Sequence, residues 1–319
     1  MFMKTENGRR HAGPELGRAL LRHAAYPFLM AAMLATVVLG LRFHWDPGAT
    51  SFLFLISTML YFAILERFIP YDVEWHPSPK EWGQYGIYFL LTVVGGAISA
   101  GLVAAAAMAI APSQSILPMW AEIPLALLLS SLVGYCMHRW SHSNPWLWRV
   151  HGIHHVPNKV NVGNNGVNHV FDVALDQFAV QFSLALAGFS EASVFSLGIF
   201  VLAQGYIAHA NIDVRLGWLN YIVVGPEQHR LHHSTDPSEA GHFGAELSIW
   251  DHVFRSYTWR PGRQPRSVGL IDPGSFPQTR SVLASVLHPL NRRKRYDTQT
   301  ALAEPSARDR VVADEEVRS

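Results

Sequence analysis

The chain has 319 residues, of which 49% are hydrophobic and only 15% are charged, whereas charged residues make up about 25% of an average soluble domain. A net charge of +1 without a dense basic stripe argues against nucleic acid as a partner. The single cysteine, Cys136, excludes an intramolecular disulfide and every Cys-x-x-Cys metal or haem attachment, and we expect it to be a small buried packing residue.

Four long apolar runs predict membrane helices. Residues 24–41, 50–65 and 85–111 contain no Asp, Glu, Lys or Arg, and residues 119–137 contain only Glu122. Each run is about long enough to span a bilayer, allowing for tilt and polar flanks. Residues 87–111 also lack the polar stripe that a soluble helix presents to water. We therefore expect an all-α integral membrane protein with about four transmembrane helices. The pair Glu66 and Arg67, at the end of the second run, is typical of an interfacial ion pair.

The distribution of basic residues predicts the orientation of these helices. Basic residues precede the first run and follow the fourth, whereas the connection from 111 to 119 carries no charge. The excess of Lys and Arg on the cytoplasmic side of membrane proteins then places both termini, and the region after the fourth helix, in the cytoplasm. We expect a cytoplasmic N-terminal segment at 1–23, a membrane domain at 24–290 and a disordered charged tail at 291–319.

Past the fourth run, the chain predicts a loop and then a helical hairpin. Residues 157–169 are rich in Asn and Gly, which favour loops. Residues 173–208 are apolar again but are interrupted by Gly188-Phe189-Ser190-Glu191, where Ser190 can cap a new helix. We expect a hairpin that does not fully cross the membrane, because each half is shorter than about 18 clean apolar residues.

Histidines are concentrated in one part of the sequence. Twelve of the 17 fall between His138 and His252. Eight of them form three motifs, HRWSH at 138–142, HGIHH at 151–155 and HRLHH at 229–233. A separation of three or four residues places side chains on one face of a helix, which suits ligands that converge on a metal. A low-complexity tract would lack both this spacing and the interleaved aromatic residues. These motifs predict a helical cap that holds a metal site on the cytoplasmic side.

The number of histidines indicates two metal ions, since one zinc ion takes three or four ligands. Imidazole suits zinc, copper, nickel or iron, so ligand type alone leaves the metal open. The HExxH signature of hydrolytic zinc sites is absent, as are a thiolate for haem and a carboxylate-rich di-iron pattern. Histidine-held iron, which can reduce dioxygen and attack an unactivated C–H bond, is the economical remaining account. We expect no catalytic residue beyond the metal ligands.

The three motifs resemble the histidine boxes of the fatty acid hydroxylase and sterol desaturase superfamily. The resemblance includes Glu66-Arg67-Phe68-Ile69-Pro70 and the segments 225–233 and 247–254, and it covers about residues 50–290. It implies a membrane di-iron oxygenase with nine ligands: His138, His142, His151, His154, His155, His209, His229, His232 and His233. Some relatives carry a second histidine four residues before His209, where this chain has Gly205. Candidates to orient the imidazoles are His169, Asn168, Asp172, Asn211, Asp213 and Asp251.

The resemblance also implies cofactors and partners. Two iron ions, which zinc can replace on purification, would use O₂ and two electrons to hydroxylate a lipid. No nucleotide-binding or haem motif is present, so a separate ferredoxin, cytochrome or NAD(P)H reductase would deliver the electrons. The substrate is left open among fatty acyl, sterol-like, carotenoid, alkylglycerol ether and aminolipid classes. Three alternatives remain: a desaturase on the same site, a metal transporter, and a lipid-binding protein with structural zinc.

Overall fold

A computed structural model describes residues 12–110 and 115–291. Within these ranges the named elements are all helical, and β pairing is confined to isolated bridges such as Pro70 with Ile212. The all-α prediction is therefore confirmed. The α-helices are α1 (Ala12–Arg42), α2 (Pro47–Phe68), α3 (Pro79–Ile110), α4 (Met119–Ser143), α5 (Pro145–His151), α6 (Val170–Leu186), α7 (Glu191–His209), α8 (Pro226–His232), α9 (Ile249–Val253) and α10 (Val282–Leu287).

Five of these helices, rather than four, are long and apolar enough to cross a membrane: α1 from Glu15 onward, α2, α3, α4 and α7. Large apolar side chains cover the outside of the bundle. Leu53 is 66% exposed and Leu90 is 62% exposed. Lipid tails accept such a surface, whereas water does not. Cys136 also faces outward on α4, so the expectation that it is buried was wrong. Together these features describe a multi-pass membrane protein.

The hairpin of α6 and α7 reaches further into the bundle than the sequence indicated. Its turn meets the connection between α3 and α4, where the Ser115 N–H donates to the Gly188 carbonyl over 2.8 Å. Glu122, near the start of α4, accepts hydrogen bonds from the hydroxyls of Ser190 and Ser193. α6 packs on α3 and α4, and α7 packs among α1, α2 and α4. α6 begins and α7 ends at the same end of the bundle, where Asp172 in the first turn of α6 contacts His151 and α7 ends at His209.

Local sequence explains where the main helices begin. Asp46 caps α2 by accepting from the Ala49 N–H over 2.7 Å, and Pro47 follows at the first helical position, where its missing N–H does no harm. Ser190 caps α7 by accepting from the Ser193 N–H. Asn144 ends α4 and caps α5, so the chain turns sharply between the first two histidine motifs.

The predicted domain boundaries fall partly outside the described residues. Residues 1–11 of the N-terminal segment that we expect at 1–23 are undescribed, but α1 begins at Ala12, so the expected boundary falls inside a helix. Almost all of the tail expected at 291–319 is likewise outside the described residues. The main apolar core lies between α1, α2 and α7, with Phe62, Ile199 and Ile207 fully buried. This core fixes the end of α7, and with it His209, near the ends of α2 and α4.

Candidate metal centre

Nine histidines gather into two neighbouring groups at one end of the bundle. The first group has five members and the second has four, and the facing nitrogens within each group lie within 4.8 Å of one another. The first group consists of His138, His142, His151, His155 and His232; the second consists of His154, His209, His229 and His233. All nine residues predicted as ligands are therefore brought together, including His209.

Each of the two later motifs is divided between the groups. His154 and His155 are adjacent in sequence but belong to different groups, and His232 is separated from its neighbour His233 in the same way. The second motif is also not helical beyond His151: residues 152–155 form hydrogen-bonded turns, in which the His154 N–H donates to the His151 carbonyl over 2.9 Å. Spacing on one helical face therefore does not explain how this motif supplies its ligands.

The nitrogens that face into the groups are arranged as metal ligands are. The Nε2 atoms of His142 and His151 are 3.1 Å apart, as are those of His229 and His233. Two nitrogens bound to one metal at right angles, each at about 2.0–2.1 Å, lie about 3 Å apart. The Nε2 atoms of His209 and His232 are buried without a hydrogen-bond partner, and so are both ring nitrogens of His155. Buried polar atoms normally have partners, so these residues fit bound metal ions.

The outward nitrogens are held mainly by backbone carbonyls. Such contacts fix the tautomer and the orientation of a ligating imidazole. The one carboxylate among them is Asp172, whose Oδ2 lies 3.1 Å from the His151 Nδ1. The remaining contacts are His138 Nδ1 to the Phe243 carbonyl (2.8 Å), His154 Nδ1 to Val167 (3.3 Å), His209 Nδ1 to Asn161 (2.9 Å) and His232 Nδ1 to Gly241 (2.9 Å).

Burial keeps the imidazoles outside the membrane helices uncharged. It lowers the pKa of His154, His155, His232 and His233 well below the ordinary value of 6.5, and the neighbouring imidazoles lower it further. A neutral imidazole is the form that binds metal. At neutral pH these side chains need not lose a proton before they coordinate.

Of the residues predicted to orient the imidazoles, only Asp172 contacts one through its side chain. His169 instead caps α6 and bonds the Val286 carbonyl through Nε2 over 3.1 Å. Asn168 donates to the Asn165 carbonyl, and Asp213 forms an ion pair with Arg22 at 2.7 Å. Asn168 is therefore a loop residue, His169 a helix cap and Asp213 an ion-pair partner. Although they lie near the histidines in sequence, their side chains bond to other groups.

Asp251 and Asn211 do not contact the imidazoles but form hydrogen bonds to nearby backbone groups. The carboxylate of Asp251 accepts from the N–H groups of Phe243 and Gly244, and so holds the segment whose carbonyl orients His138. The Asn211 side chain exchanges hydrogen bonds with the backbone of Asp72. Both residues position loops rather than imidazoles.

Glu66 is the main site residue that sequence reasoning misjudged. It is buried, with 1% exposure, and its Oε1 accepts from the Val162 N–H at 2.6 Å and the Asn211 N–H at 2.8 Å. It thereby joins the loop that orients His209 to the chain just past His209. Its position beside Arg67 suggested an interfacial ion pair. The sequence did contain a signal for this role. Glu66 is an acidic residue in an otherwise apolar helix, and charged side chains are rarely buried unless they have a structural or functional role.

The comparisons with known proteins agree with this geometry. A family model described as fatty acid hydroxylase matches residues 123–256. An ornithine lipid hydroxylase of Rhizobium tropici is 28% identical over 255 residues, which are 75% of each chain. An alkylglycerol monooxygenase of Danio rerio is 30% identical over 161 residues, 48% of this chain and 34% of that protein. The corresponding protein of Caenorhabditis elegans is 26% identical, and 28% of its length is covered. No solved structure matches.

Fold and site together define a multi-pass helical membrane protein with two buried imidazole groups suited to metal ions. Residues 123–256 match the fatty acid hydroxylase family model, which agrees with the resemblance of the three histidine motifs to the fatty acid hydroxylase and sterol desaturase superfamily. The relatives named above are lipid hydroxylases and monooxygenases.

Proposed function

We propose that the protein is a membrane-bound non-haem di-iron oxygenase that hydroxylates a C–H bond of a lipid. The observation that carries this proposal is the division of nine histidines, seven of them buried and two half-buried, into two adjoining groups of five and four. One metal ion does not need nine imidazoles, whereas two ions side by side account for all of them. We infer that all nine are ligands.

Iron ions bound there would supply the activation of O₂, in the overall reaction in which a C–H bond, O₂, two electrons and two protons give an alcohol and water. The protein's part is to hold neutral imidazoles in place and to exclude water. Four or five imidazoles are fewer than the six ligands of an octahedral metal, so each group leaves room for a further ligand. His155, His209 and His232 are at most 2% exposed, which keeps the site dry.

We propose that the site and both termini face the cytoplasm and that a separate protein delivers the electrons. The basic residues before α1 and after α4 support this orientation. Reducing equivalents carried by a soluble or membrane-bound donor are available on that side. Addition of an impermeant thiol reagent to cells that carry a cysteine introduced at Trp218, which is 69% exposed, would test it: labelling of intact cells would contradict the cytoplasmic assignment.

For the substrate we propose a lipid with a cationic amine in its headgroup. Two carboxylates near the first group carry no ion pair among the described residues: Asp176, one turn beyond Asp172 on α6, and Glu246, which lies close enough to Asp176 to feel its charge. Burial, reinforced by Asp176, raises the pKa of Glu246 to about 7. An ammonium group between them would relieve this repulsion. The ornithine lipid hydroxylase relative acts on an aminolipid, whereas an alkylglycerol ether has no cation to offer.

Lipid profiling of a deletion strain against its parent tests the proposal. We expect one lipid class to lose a species that carries an extra oxygen atom, and its unmodified precursor to accumulate. Loss of a double bond instead would identify a desaturase. Metal uptake by reconstituted vesicles, without any oxygen-dependent product, would favour a transporter. Full activity after His154→Ala and His232→Ala would favour a structural zinc protein.

The purified protein tests the substrate class separately. With an aminolipid in mixed micelles, we expect Glu246→Gln to raise KM about tenfold or more with little change in kcat, as loss of one ion pair in a partly buried site would. Glu191→Gln, at the far end of the bundle, is the matched control. Equal turnover of an uncharged ether lipid by the wild-type protein would exclude amine recognition.

A further inference from the structure

We propose that His242, which belongs to neither metal-binding group, is the positioning residue for the first group. Its side chain fixes residues 241–243, here called the carbonyl clamp, and this clamp orients two of the five ligands. The inference rests on the metal binding proposed above. His242 is fully buried, and no sequence motif marks it.

The carbonyl clamp holds imidazoles from two different helices. The Gly241 carbonyl accepts from Nδ1 of His232, on α8, over 2.9 Å, and the Phe243 carbonyl accepts from Nδ1 of His138, on α4, over 2.8 Å. The two carbonyls flank His242 in sequence. A rotation of the backbone at His242 therefore moves both acceptors together and turns both rings away from their common centre.

The clamp has a backbone conformation that the sequence does not favour by itself. His242 has φ of +62°, in the left-handed region that is unfavourable for an L-residue. Gly241 packs closely against the opposite segment, because a Cβ there would collide with the Ser256 carbonyl oxygen. This conformation must be maintained by contacts of the surrounding chain.

The imidazole of His242 provides contacts of this kind, beside the Asp251 carboxylate that accepts from the Phe243 N–H. Its Nε2 accepts from two consecutive backbone N–H groups, those of Thr258 at 3.0 Å and Trp259 at 2.7 Å. The His242 N–H donates to the Ser256 carbonyl over 3.0 Å, and the ring lies edge-on to Tyr257 with centroids 4.7 Å apart. The ring thus joins the clamp to residues 256–259. Loss of this acceptor leaves two N–H groups without their partner.

The second metal group does not depend on the clamp. His209 and His154 are oriented by the carbonyls of Asn161 and Val167, in a loop that Glu66 secures from the other side. A change at His242 should therefore disturb the first group and spare the second. A general loss of folding would disturb both equally.

The experiment measures cobalt, which reports ligand geometry through its visible spectrum, in the detergent-purified full chain. The variants are His242→Leu, His242→Gln, whose side-chain oxygen reaches about as far as Nε2, and His242→Gly, which accepts positive φ without strain. His288→Leu, at another buried histidine, is the control. We expect two cobalt ions in the wild type, the glutamine variant and the control. The leucine and glycine variants should bind the first-group ion at least about tenfold more weakly and keep the other.

Each other outcome has a distinct meaning. Two tightly held ions with an unchanged spectrum in both His242→Leu and His242→Gly would overturn the role of His242. A glycine variant that behaves as the wild type while the leucine variant unfolds would also overturn it, because the ring would then not be needed. A folded wild-type protein that binds no cobalt, zinc or iron would instead refute the metal function itself.

Discussion

The two histidine groups draw on the same sequence motifs but are anchored to different parts of the chain. The first takes histidines from α4, α5, the turn after α5 and α8, and is oriented by Asp172 and the carbonyl clamp. The second adds His209 from α7, and is oriented by residues 161 and 167. Neighbouring residues such as His154 and His155 thus serve groups with separate supports. We therefore expect a substitution to affect the group whose orienting contacts it removes, whichever histidine is nearest to it in sequence.

The largest expected effect comes from the ligands themselves. His155→Ala should empty the first group and His154→Ala the second, each leaving about one metal ion per chain. Turnover should fall by more than about 100-fold in both variants, since even residues that only orient ligands contribute 10–100-fold. Elemental analysis of purified protein, with His252→Ala as an exposed control, checks this. Equal loss of both ions in both variants would mean that the groups are one coupled unit.

Acidification should strongly destabilise the metal-free protein. The pKa values of His154, His155, His232 and His233 lie well below 6.5 when folded, so below about pH 6.5 the unfolded chain binds protons that the folded chain excludes. Stability is lost as pH falls, by up to about 1.4 kcal/mol per pH unit for each such histidine. Thermal unfolding between pH 8 and pH 5 measures this. A stability of the metal-free protein that does not depend on pH would show that these imidazoles are not buried. Bound metal should shift the loss of stability to lower pH.

Glu66→Ala should weaken the second group selectively. The change leaves the N–H groups of Val162 and Asn211 without an acceptor, which lowers the free energy of unfolding by about 2–4 kcal/mol. The second-group metal should be lost first, because this loop orients His209. Arg67→Ala, at the exposed neighbour, is the control and should change little. Selective loss of first-group metal would refute the assignment of Glu66 to the second group.

Asp172→Asn should have a moderate effect on the first group alone. The amide removes the charge that faces His151, and we expect a 10–100-fold loss of first-group metal affinity without a change in the second. Asp213→Asn should leave both affinities within about twofold, because its carboxylate pairs with Arg22 and not with an imidazole. Competition with a metal chelator measures both. Equal effects of the two variants would argue for a general influence of negative charge.

The smallest expected effect is at Gly205, where some relatives carry a histidine. A Cβ there meets no atom within 4 Å, so Gly205→Ala should stabilise α7 by up to about 1 kcal/mol. Metal content and turnover should stay the same, since His209 completes the second group without this neighbour. A drop in metal content would show that the space beside Gly205 is needed.

The sequence predicted the helices of uniform composition and the nine histidines that gather in the two groups. α2, α3 and α4 are evident because their runs contain almost no charge. α7 was underestimated because Glu191, Ser193 and Ser196 interrupt its start, although Glu122 in α4 accepts from Ser193 in the folded chain. The assignment of ligands to groups could not be predicted. It depends on the turns at 152–155 and on long-range contacts, such as those of Glu66, that leave no periodic signal.

Main-chain carbonyls orient His138, His154, His209 and His232 through Nδ1 in the part of the chain that the structure describes, and no point substitution can delete these acceptors. Alanine scanning at Asn161, Val167 and Phe243, or a substitution of Gly241, would measure changes in packing, because the carbonyl oxygens would remain in place. To probe these contacts, the amide itself must be altered, for example by an ester linkage that weakens the carbonyl as an acceptor. The support of this centre is therefore chemically robust to mutation, and its sensitive points are the few side chains that shape the backbone.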